Sequence, residues 1–529
     1  MSIGRVFILA SIGDPKMWRS VLYNIDDGCC VESSWSTAAL LVKAFIERPF
    51  RKIHVLSIAA DTLLASGGYF KPHEVMSLHM WRVIREKVES KVINDLLEKV
   101  RRAKLKCSPT KHDLSLETVE NLAKAVEVAV CPGIGEYPVQ GERGGLIKLL
   151  FNGSLQAYYI CFLINSLAFI IKNQGGVKDG EGIEIWLDMS HGVNYMPSTA
   201  MVAIQNLMRA LHFYGLSPEV RLFNSDPIPY HSGELEFFRP HMNELSLSSE
   251  LCPTGITALT TKDQRNKVLD LFKNPGKLFS KDSRSRFNTS KRIRQLLPSI
   301  GSENLVYELW CAIAYGYPLL LLSKALSYRG NILSFKDFVL RLREALYSIL
   351  DIVEVVKKNE RIAVETSKAF NNELLGIYPT FIELYALFDK VLDTLTTKVE
   401  GGEAEEGYTL KQLKDNKVLL QYSFPHVEHF IGREIKEIEC TVVECIDKGK
   451  DLSNWRLWRE LRDECGSVRL RCDEDERIEL LSELIRIRYG SEVLAEVSKK
   501  LEDRDFIAHL GLTYDLVELK LVGERKRRL

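Results

Sequence analysis

The sequence predicts an α/β domain followed by an all-α domain. In roughly the first 240 residues, short apolar β runs alternate with helical periods. Those β runs are apolar nearly throughout, the pattern of a parallel sheet covered on both faces. In the second half, apolar residues recur at helical spacing and continuous β runs are scarce.

The strands are Val6–Ala10, Ile53–Ile58, Val126–Val130, Ile183–Leu187 and Val220–Phe223, with Leu235–Phe238 as an antiparallel edge. Between them, Ile84, Val88, Leu96 and Val100 mark one helical face. A second helix runs from about Gln156 to Lys172, and a third begins near Pro197, where proline suits a first turn. Strand–helix–strand alternation predicts a doubly wound parallel sheet. In the second half, Phe338, Leu342, Ala345, Leu346, Ile349 and Val353 form an apolar stripe. Helical patterns cover about 303–326, 361–399, 475–489 and 491–502. Gly401–Gly407 reads as an acidic loop, and Val418–Phe424 and Thr441–Ile446 as strands of a small inserted lobe at about 400–470. The expected division is residues 1–240, a connecting segment 241–300, and residues 301–529.

With 529 residues, roughly three or four folding units are expected. Hydrophobic residues at 46% and charged residues at 27% give an ordinary globular balance. Lys+Arg and Asp+Glu both number 71, which excludes a surface coated in basic charge but leaves room for a local basic groove. One such run is Lys277, Lys281, Arg284, Arg286, Lys291, Arg292 and Arg294, with Phe279 and Phe287 interleaved. It reads as a solvated face or as a contact for RNA phosphate. The apolar stretch Tyr158–Ile171 falls short of the roughly 20 residues a bilayer needs, so no membrane and a cytoplasmic setting are expected. The 11 cysteines contain no CxxC pair, and His426 and His429 in HVEH read as surface residues. No metal or cofactor is expected.

The strand ends carry the candidate ligand chemistry. Ser11-Ile-Gly13-Asp-Pro15 follows the first strand, with Trp18 and Tyr23 beyond it, and Asp61-Thr62-Leu63 follows the second. Pro132-Gly133-Ile-Gly135 follows the third, and Asp188-Met-Ser190-His191-Gly192-Val-Asn194-Tyr195-Met-Pro197 the fourth. Ser36 and Thr37 in ESSWST open the first helix. Each loop alone is explained by capping and turns. Together, at one edge of one sheet, they point to a nucleotide-like ligand.

DMSHGVNYMP resembles the DxTHGxNxMP signature of the CRISPR-associated CARF proteins, with Ser190 where threonine is usual. GDPxxW followed by Tyr23, then SWST, DTL and PGxG, agree in the same order, and the matched blocks span most of residues 1–240. The resemblance implies a Rossmann-like dimer that binds a cyclic oligoadenylate across its two-fold axis. It implies ligand contacts from Ser11, Gly13, Ser36, Thr37, Thr62, Gly135, Ser190, His191, Gly192 and Asn194. Cyclic tetra-adenylate is the expected ring.

Near the C-terminus, Arg504-Asp505-Phe-Ile-Ala-His509-Leu-Gly511 resembles the R-x4-H motif of HEPN ribonucleases, whose domains are all-α. On one straight helix Arg504 and His509 stand about 140° apart and share no face. The resemblance implies a composite site, with Arg504 and His509 from both subunits of a homodimer or higher homo-oligomer. Asp505 either orients Arg504 or caps the helix. A histidine titrating near neutrality moves protons, and an arginine fork holds phosphate charge. CARF followed by HEPN is the layout of the type III accessory ribonucleases of the Csx/Csm class. It implies a ring-activated, metal-independent endoribonuclease that acts on single-stranded RNA and leaves 2′,3′-cyclic phosphate ends. The alternative is a ligand-sensing regulator whose helical domain is catalytically silent and binds DNA or a protein partner.

Overall fold

The computed structural model describes residues 2–65, 78–107, 121–140, 146–175, 181–226, 240–247, 262–281, 289–299, 303–320, 333–398, 408–415, 427–465, 484–489 and 512–521. Short gaps within these spans fall at 16–17, 27–28, 49–50, 122, 193–194, 217, 315–316, 318, 359–360 and 513–516. The chain divides into two compact units. The first is Met1–Cys252, Asn274–Ser299 and Leu333–Ala386; the second is Pro253–Lys273, Ile300–Ile332 and Leu387–Leu529.

In the first unit the chain runs β1 (Ser2–Ile12), β2 (Val21–Asp26), β3 (Cys29–Ser33), α1 (Ser36–Glu47), β4 (Lys52–Ala60) and α2 (Trp81–Arg102). Then come β5 (Lys104–Cys107), β6 (Val126–Cys131), β7 (Ile134–Gln140), β8 (Leu146–Asn152) and α3 (Leu155–Asn173). β9 (Glu181–Asp188), α4 (Tyr195–Tyr214), β10 (Pro218–Ser225) and β11 (Met242–Leu247) follow. The main sheet has the order β11-β10-β9-β1-β4-β6. All its pairs are parallel except β10–β11. Every expected strand but one is present, so the parallel doubly wound sheet stands. The antiparallel edge is Met242–Leu247; Leu235–Phe238 lies outside the described residues.

The strand order reverses between β1 and β9. In an open parallel sheet, that reversal opens a crevice beyond the carboxyl ends of the strands. The core lies on both faces of β1, where Val6, Phe7, Ile8 and Leu9 are all fully buried.

Helix α3 is apolar on every side: Ala157, Tyr158 and every residue from Ile160 to Ile171 are buried. By length and composition it is the one helix among the described residues apolar enough to cross a membrane. Here it is a core helix, and such a helix needs cover all round. Part of that cover comes from far along the chain. After α5 (Lys262–Lys273), α6 (Thr289–Leu296) and α7 (Glu303–Ala314), helix α8 (Phe335–Leu350) packs on α3. Arg343 Nε and the Tyr347 hydroxyl both donate to Asn165 Oδ1 on α3, at 3.0 and 2.9 Å. Arg85 on α2 forks onto Asp351, at 2.9 and 3.0 Å. β12 (Val355–Lys358) and β13 (Arg361–Val364) follow, and β13 pairs parallel with β8. The first compact unit therefore takes in stretches from both halves of the chain. The expected helix over 361–399 opens with a strand and becomes regular only in α9 (Asn372–Leu375) and α10 (Tyr378–Lys398).

The second unit is not all-α. After β14 (Tyr408–Thr409), α11 (Leu410–Asp415), α12 (Val427–Asp447), β15 (Arg456–Leu457) and α13 (Trp458–Cys465) come β16 (Ile485–Tyr489) and β17 (Val517–Leu521). The four strands form an antiparallel sheet in the order β14-β16-β17-β15. IRIRY and VELKL alternate apolar and charged residues, the period of a half-buried strand, so 485–489 is a strand rather than a helix end. Thr441–Ile446 is helical, because Ile435, Ile438, Val442 and Cys445 bury one face of α12 at helical spacing. Cys445 and Cys465 form a disulfide between α12 and α13. Residues 401–407, 418–424 and 491–502 lie outside the described residues.

Candidate ligand site at the sheet switch point

The ends of β1 and β9 meet at the reversal point. A Cβ on Gly13 would lie 3.6 Å from the Gly192 Cα, so the two loops touch backbone to backbone. Gly192 has φ 125° and Gly135 φ 139°, conformations that glycine adopts without strain.

Asp188, the last residue of β9, organises one side of the site and is 1% exposed. Its Oδ2 accepts from the Ser36 and Thr37 hydroxyls, each at 2.6 Å. Its Oδ1 accepts from the Ser190 N–H at 2.9 Å. The start of α1 is thereby tied to the β9 loop. His191 stands beside it, where its Nε2 accepts from the Ser36 N–H at 3.2 Å. That bond fixes the neutral ring with its proton on Nδ1. Burial pushes the His191 pKa down to about 4, against the pull of Asp188. The Trp18 ring stacks on His191 at 4.3 Å, and Lys99 Nζ lies 5.5 Å from the Trp18 centroid. Lys99 also donates to Ser34 Oγ at 2.9 Å. A hollow of about 290 Å³ opens beside Lys99, lined by Pro15, Ser20, Ser33 and Ser34, by the cations Lys99 and Arg102 and by the carboxylates Asp95 and Glu98.

Asp61 organises the other side and is fully buried. Its Oδ1 accepts from the Gly133 N–H at 2.7 Å, and its Oδ2 from the Trp81 indole at 2.8 Å. Burial raises its carboxyl to about 7, although Trp81, Gly133 and Thr62 all donate to it. Gly133 has no room for a side chain: a Cβ would sit 2.4 Å from Thr62 Cγ2 and 2.8 Å from Asp61 Oδ1. Asp61 thus joins the Thr62 turn to the Gly133–Gly135 loop. Between the two sides, Ser11 Oγ meets the Tyr158 hydroxyl at 3.2 Å.

Of the residues expected to face the ligand, Ser36, Thr37, Ser190 and His191 are joined through Asp188, Gly13 touches Gly192, and Thr62 lies against Gly133. Ser190 has a second task, since its hydroxyl accepts from the Ser225 N–H at 2.9 Å and fixes the loop to β10. Asn194 lies outside the described residues, as do Arg504, Asp505 and His509. Asp188 and Asp61 are site residues beyond those the sequence assigns to the ligand. A legible signal existed for both: each is an acidic residue closing an apolar strand. Lys99 carried no such signal, because only the packing of α2 brings it to Trp18.

Two buried donors flank the site with no partner among the described residues, the Tyr23 hydroxyl and the Trp35 indole N–H. Of the expected basic run, Arg292 pairs with Glu344 at 3.0 Å, and Lys291 and Arg294 are exposed on α6. Arg284 and Arg286 lie outside the described residues.

The family model described as "CRISPR system endoribonuclease Csx1, CARF domain" matches residues 7–227. The chain is 21% identical over 523 residues to the CRISPR system endoribonuclease Csx1 of Methanocaldococcus jannaschii, which covers 98% of this chain and 87% of that protein. Among solved structures, Enterococcus italicus Csm6 bound to cyclic hexa-2'-fluoro-hexa-dAMP aligns with 96% of this chain and 100% of that one. Its identity is 13% and its TM-score 0.23. The matched span takes in the parallel strands from within β1 to β10 and every loop of the switch-point site, so it is over residues 7–227 that the chain is similar to the Csx1 CARF domain.

Proposed function

We propose that the chain is a metal-independent endoribonuclease that cleaves single-stranded RNA when a cyclic oligoadenylate occupies its CARF domain. The observation that carries the ligand half is the cradle made by Asp188. It ties the buried Ser36 and Thr37 hydroxyls at the start of α1 to the β9 loop, and so holds the part-exposed, neutral His191 imidazole at the switch-point crevice, where a ribose or base edge can meet it. The unpartnered Tyr23 and Trp35 donors fit a polar ligand there. The relative named as an endoribonuclease, matched over 98% of this chain, supports the catalytic half.

In this reading the ring is cyclic tetra-adenylate, and its two-fold symmetry matches a homodimer. Leu155, Met201 and Val202 support a dimer face, since all are large, apolar and at least 40% exposed. Binding favours one of two subunit arrangements, and the ring acts through its differential affinity for them. The cut is made by a composite HEPN site of Arg504, Asp505 and His509 from two subunits. His509 moves the proton of the RNA 2′-hydroxyl as that oxygen attacks the adjacent phosphorus, and Arg504 holds the phosphate charge. The P–O5′ bond breaks, leaving a 2′,3′-cyclic phosphate and a 5′-hydroxyl. The proposed setting is the cytoplasm.

The test is cleavage of a fluorescent single-stranded RNA in EDTA with no ring, cyclic tetra-adenylate or cyclic hexa-adenylate. Wild type is compared with Arg504→Ala and His509→Ala. Activation by one ring, lost in both variants, is the expected result. Tight ring binding without cleavage in any arm overturns the ribonuclease reading.

A further inference from the structure

The antiparallel sheet of the second unit carries a charge pattern that folding alone does not explain. Ile485, Ile487, Val517 and Leu519 are buried on one face, and α11 and α13 pack on the strands. The opposite face carries Arg486 and Arg488 from β16 and Glu518 and Lys520 from β17, all half-buried. Register places Arg486 directly across from Lys520, and Arg488 across from Glu518. The second pair is a salt bridge at 2.8 Å. The first sets like charges opposite each other, which destabilises a sheet. Charges on edge strands deter edge-to-edge pairing, but β16 and β17 are the two inner strands, so that explanation does not apply.

An aromatic ring stands among these cations. Trp455 immediately precedes β15, and its half-exposed ring lies 4.1 Å from the Arg488 guanidinium carbon and 5.9 Å from Lys520 Nζ. Arg486, Lys520 and Trp455 thus follow one another across neighbouring strands. A sheet face that combines a tryptophan, a stacked guanidinium and further cations suits single-stranded nucleic acid. The ring and guanidinium planes take bases, and the cations take phosphates. Such a pattern is local, because the whole chain has no net charge.

We propose that this sheet face binds single-stranded RNA, delivering the substrate to the second unit. The proposal rests on the ribonuclease reading for the identity of the polyanion. Its residues are distinct from Arg504, Asp505 and His509 and from the CARF loops. The repulsion between Arg486 and Lys520 is relieved when a phosphate sits between them.

The test is binding of a fluorescent 2′-O-methyl RNA, which has no free 2′-hydroxyl to attack, by the full chain with cyclic tetra-adenylate present, read by anisotropy across a salt series. The proteins are wild type, Arg486→Gln/Lys520→Gln, and the charge-keeping exchange Arg486→Lys/Lys520→Arg. Losing two phosphate contacts lowers the slope of log affinity against log salt by about 1.4 and weakens binding about 25-fold at 0.1 M salt. The exchange variant is expected to bind as wild type does, which separates lost charge from lost packing. If the neutral double variant melts early, Lys520→Gln alone carries the test with half the change in slope. Equal affinity and slope in wild type and neutral variants overturns the proposal and leaves the face to a protein partner, with the ribonuclease reading intact. A wild type that binds no RNA at all overturns both.

Discussion

Asp188→Ala tests how the ligand site is built. The carboxylate is 1% exposed and accepts three hydrogen bonds, two from hydroxyls and one from a main-chain N–H. A hydrogen bond to a charged acceptor is worth about 1.5–3 kcal/mol net. The three do not add fully, since the Ser36 and Thr37 hydroxyls can turn to other acceptors while the Ser190 N–H cannot. About 3 kcal/mol is a fair total, and at about 2–4 °C per kcal/mol it lowers Tm by roughly 6–12 °C. Ring affinity falls as well, because Ser36, Thr37 and the His191 loop lose their common anchor. The assay pairs a thermal melt with calorimetric titration of cyclic tetra-adenylate, using Asp188→Asn alongside. Asparagine keeps one acceptor and the volume, so its losses are expected to be intermediate. If Asp188→Ala loses ring binding but melts at the wild-type temperature, the carboxylate touches the ligand rather than holding the loops. If neither quantity changes, the anchoring argument fails.

Asp61 gives a pH dependence of definite sign. Its folded pKa, about 7, lies above its ordinary value of 3.8, so the folded state holds a proton that the unfolded state has released. Stability is therefore fully present below about pH 4 and is lost as pH rises toward 7, by roughly 2–3 kcal/mol between pH 5 and 7. Wild type is expected to show that slope in denaturant titrations and Asp61→Asn to lack it; equal slopes would refute the assignment. His191 runs the other way, since its folded pKa of about 4 is depressed. Its contribution is present above pH 6.5 and lost as pH falls toward 4, and an imidazole NMR titration still neutral at pH 5 is the expected outcome. Gly133→Ala places a methyl 2.4 Å from Thr62 Cγ2, so the loop must move, at a cost of about 1–3 kcal/mol. Its ring affinity is expected to fall along with Tm, and wild-type affinity would refute the close packing of the two loops.

The parallel sheet was legible because its strands are buried on both faces and so are written as unbroken apolar runs. The site was half legible for a related reason. Glycine, serine and histidine after each strand mark a loop that meets something, but which of them bonds to which is set by the sheet order. Asp188 and Asp61 look like strand-ending turn residues until the sheet order sets each beside the loop it holds, Asp188 of β9 beside the start of α1 and Asp61 after β4 beside the loop that follows β6. The second-unit strands were missed for a local reason. They are short, and their alternation is carried by Arg, Lys and Glu, residues that also suit helices. The segment 441–446 misled in the opposite sense, since its β-branched residues sit in a long helix whose buried face overrides their preference.

The assembly of the first unit from separated stretches of chain has the most physical content. Helix α3 is apolar all round, and that pattern is itself a statement that one sheet and one neighbouring helix cannot cover it. Helix α8 supplies part of the missing cover and buries eight residues in all, among them Phe335, Phe338, Val339, Leu342, Leu346, Ile349 and Leu350, with Phe335 and Phe338 also packed on Tyr385 of α10. At about 1.5–3 kcal/mol for each large side chain, that burial exceeds roughly 10 kcal/mol, comparable to the whole stability of an ordinary domain. The same helix reaches the ligand site. Asp61 holds the Trp81 indole, Trp81 stacks on Tyr347 at 6.3 Å, and Tyr347 ends on Asn165. A fragment ending at Cys252 keeps every strand of the main sheet yet removes this support. It is therefore expected to aggregate or to bind a hydrophobic dye, and to lose the ring. A monodisperse fragment 1–252 that melts cooperatively and binds cyclic tetra-adenylate as the full chain does would show that α8 is an accessory. In that case the apolar symmetry of α3 would need another explanation.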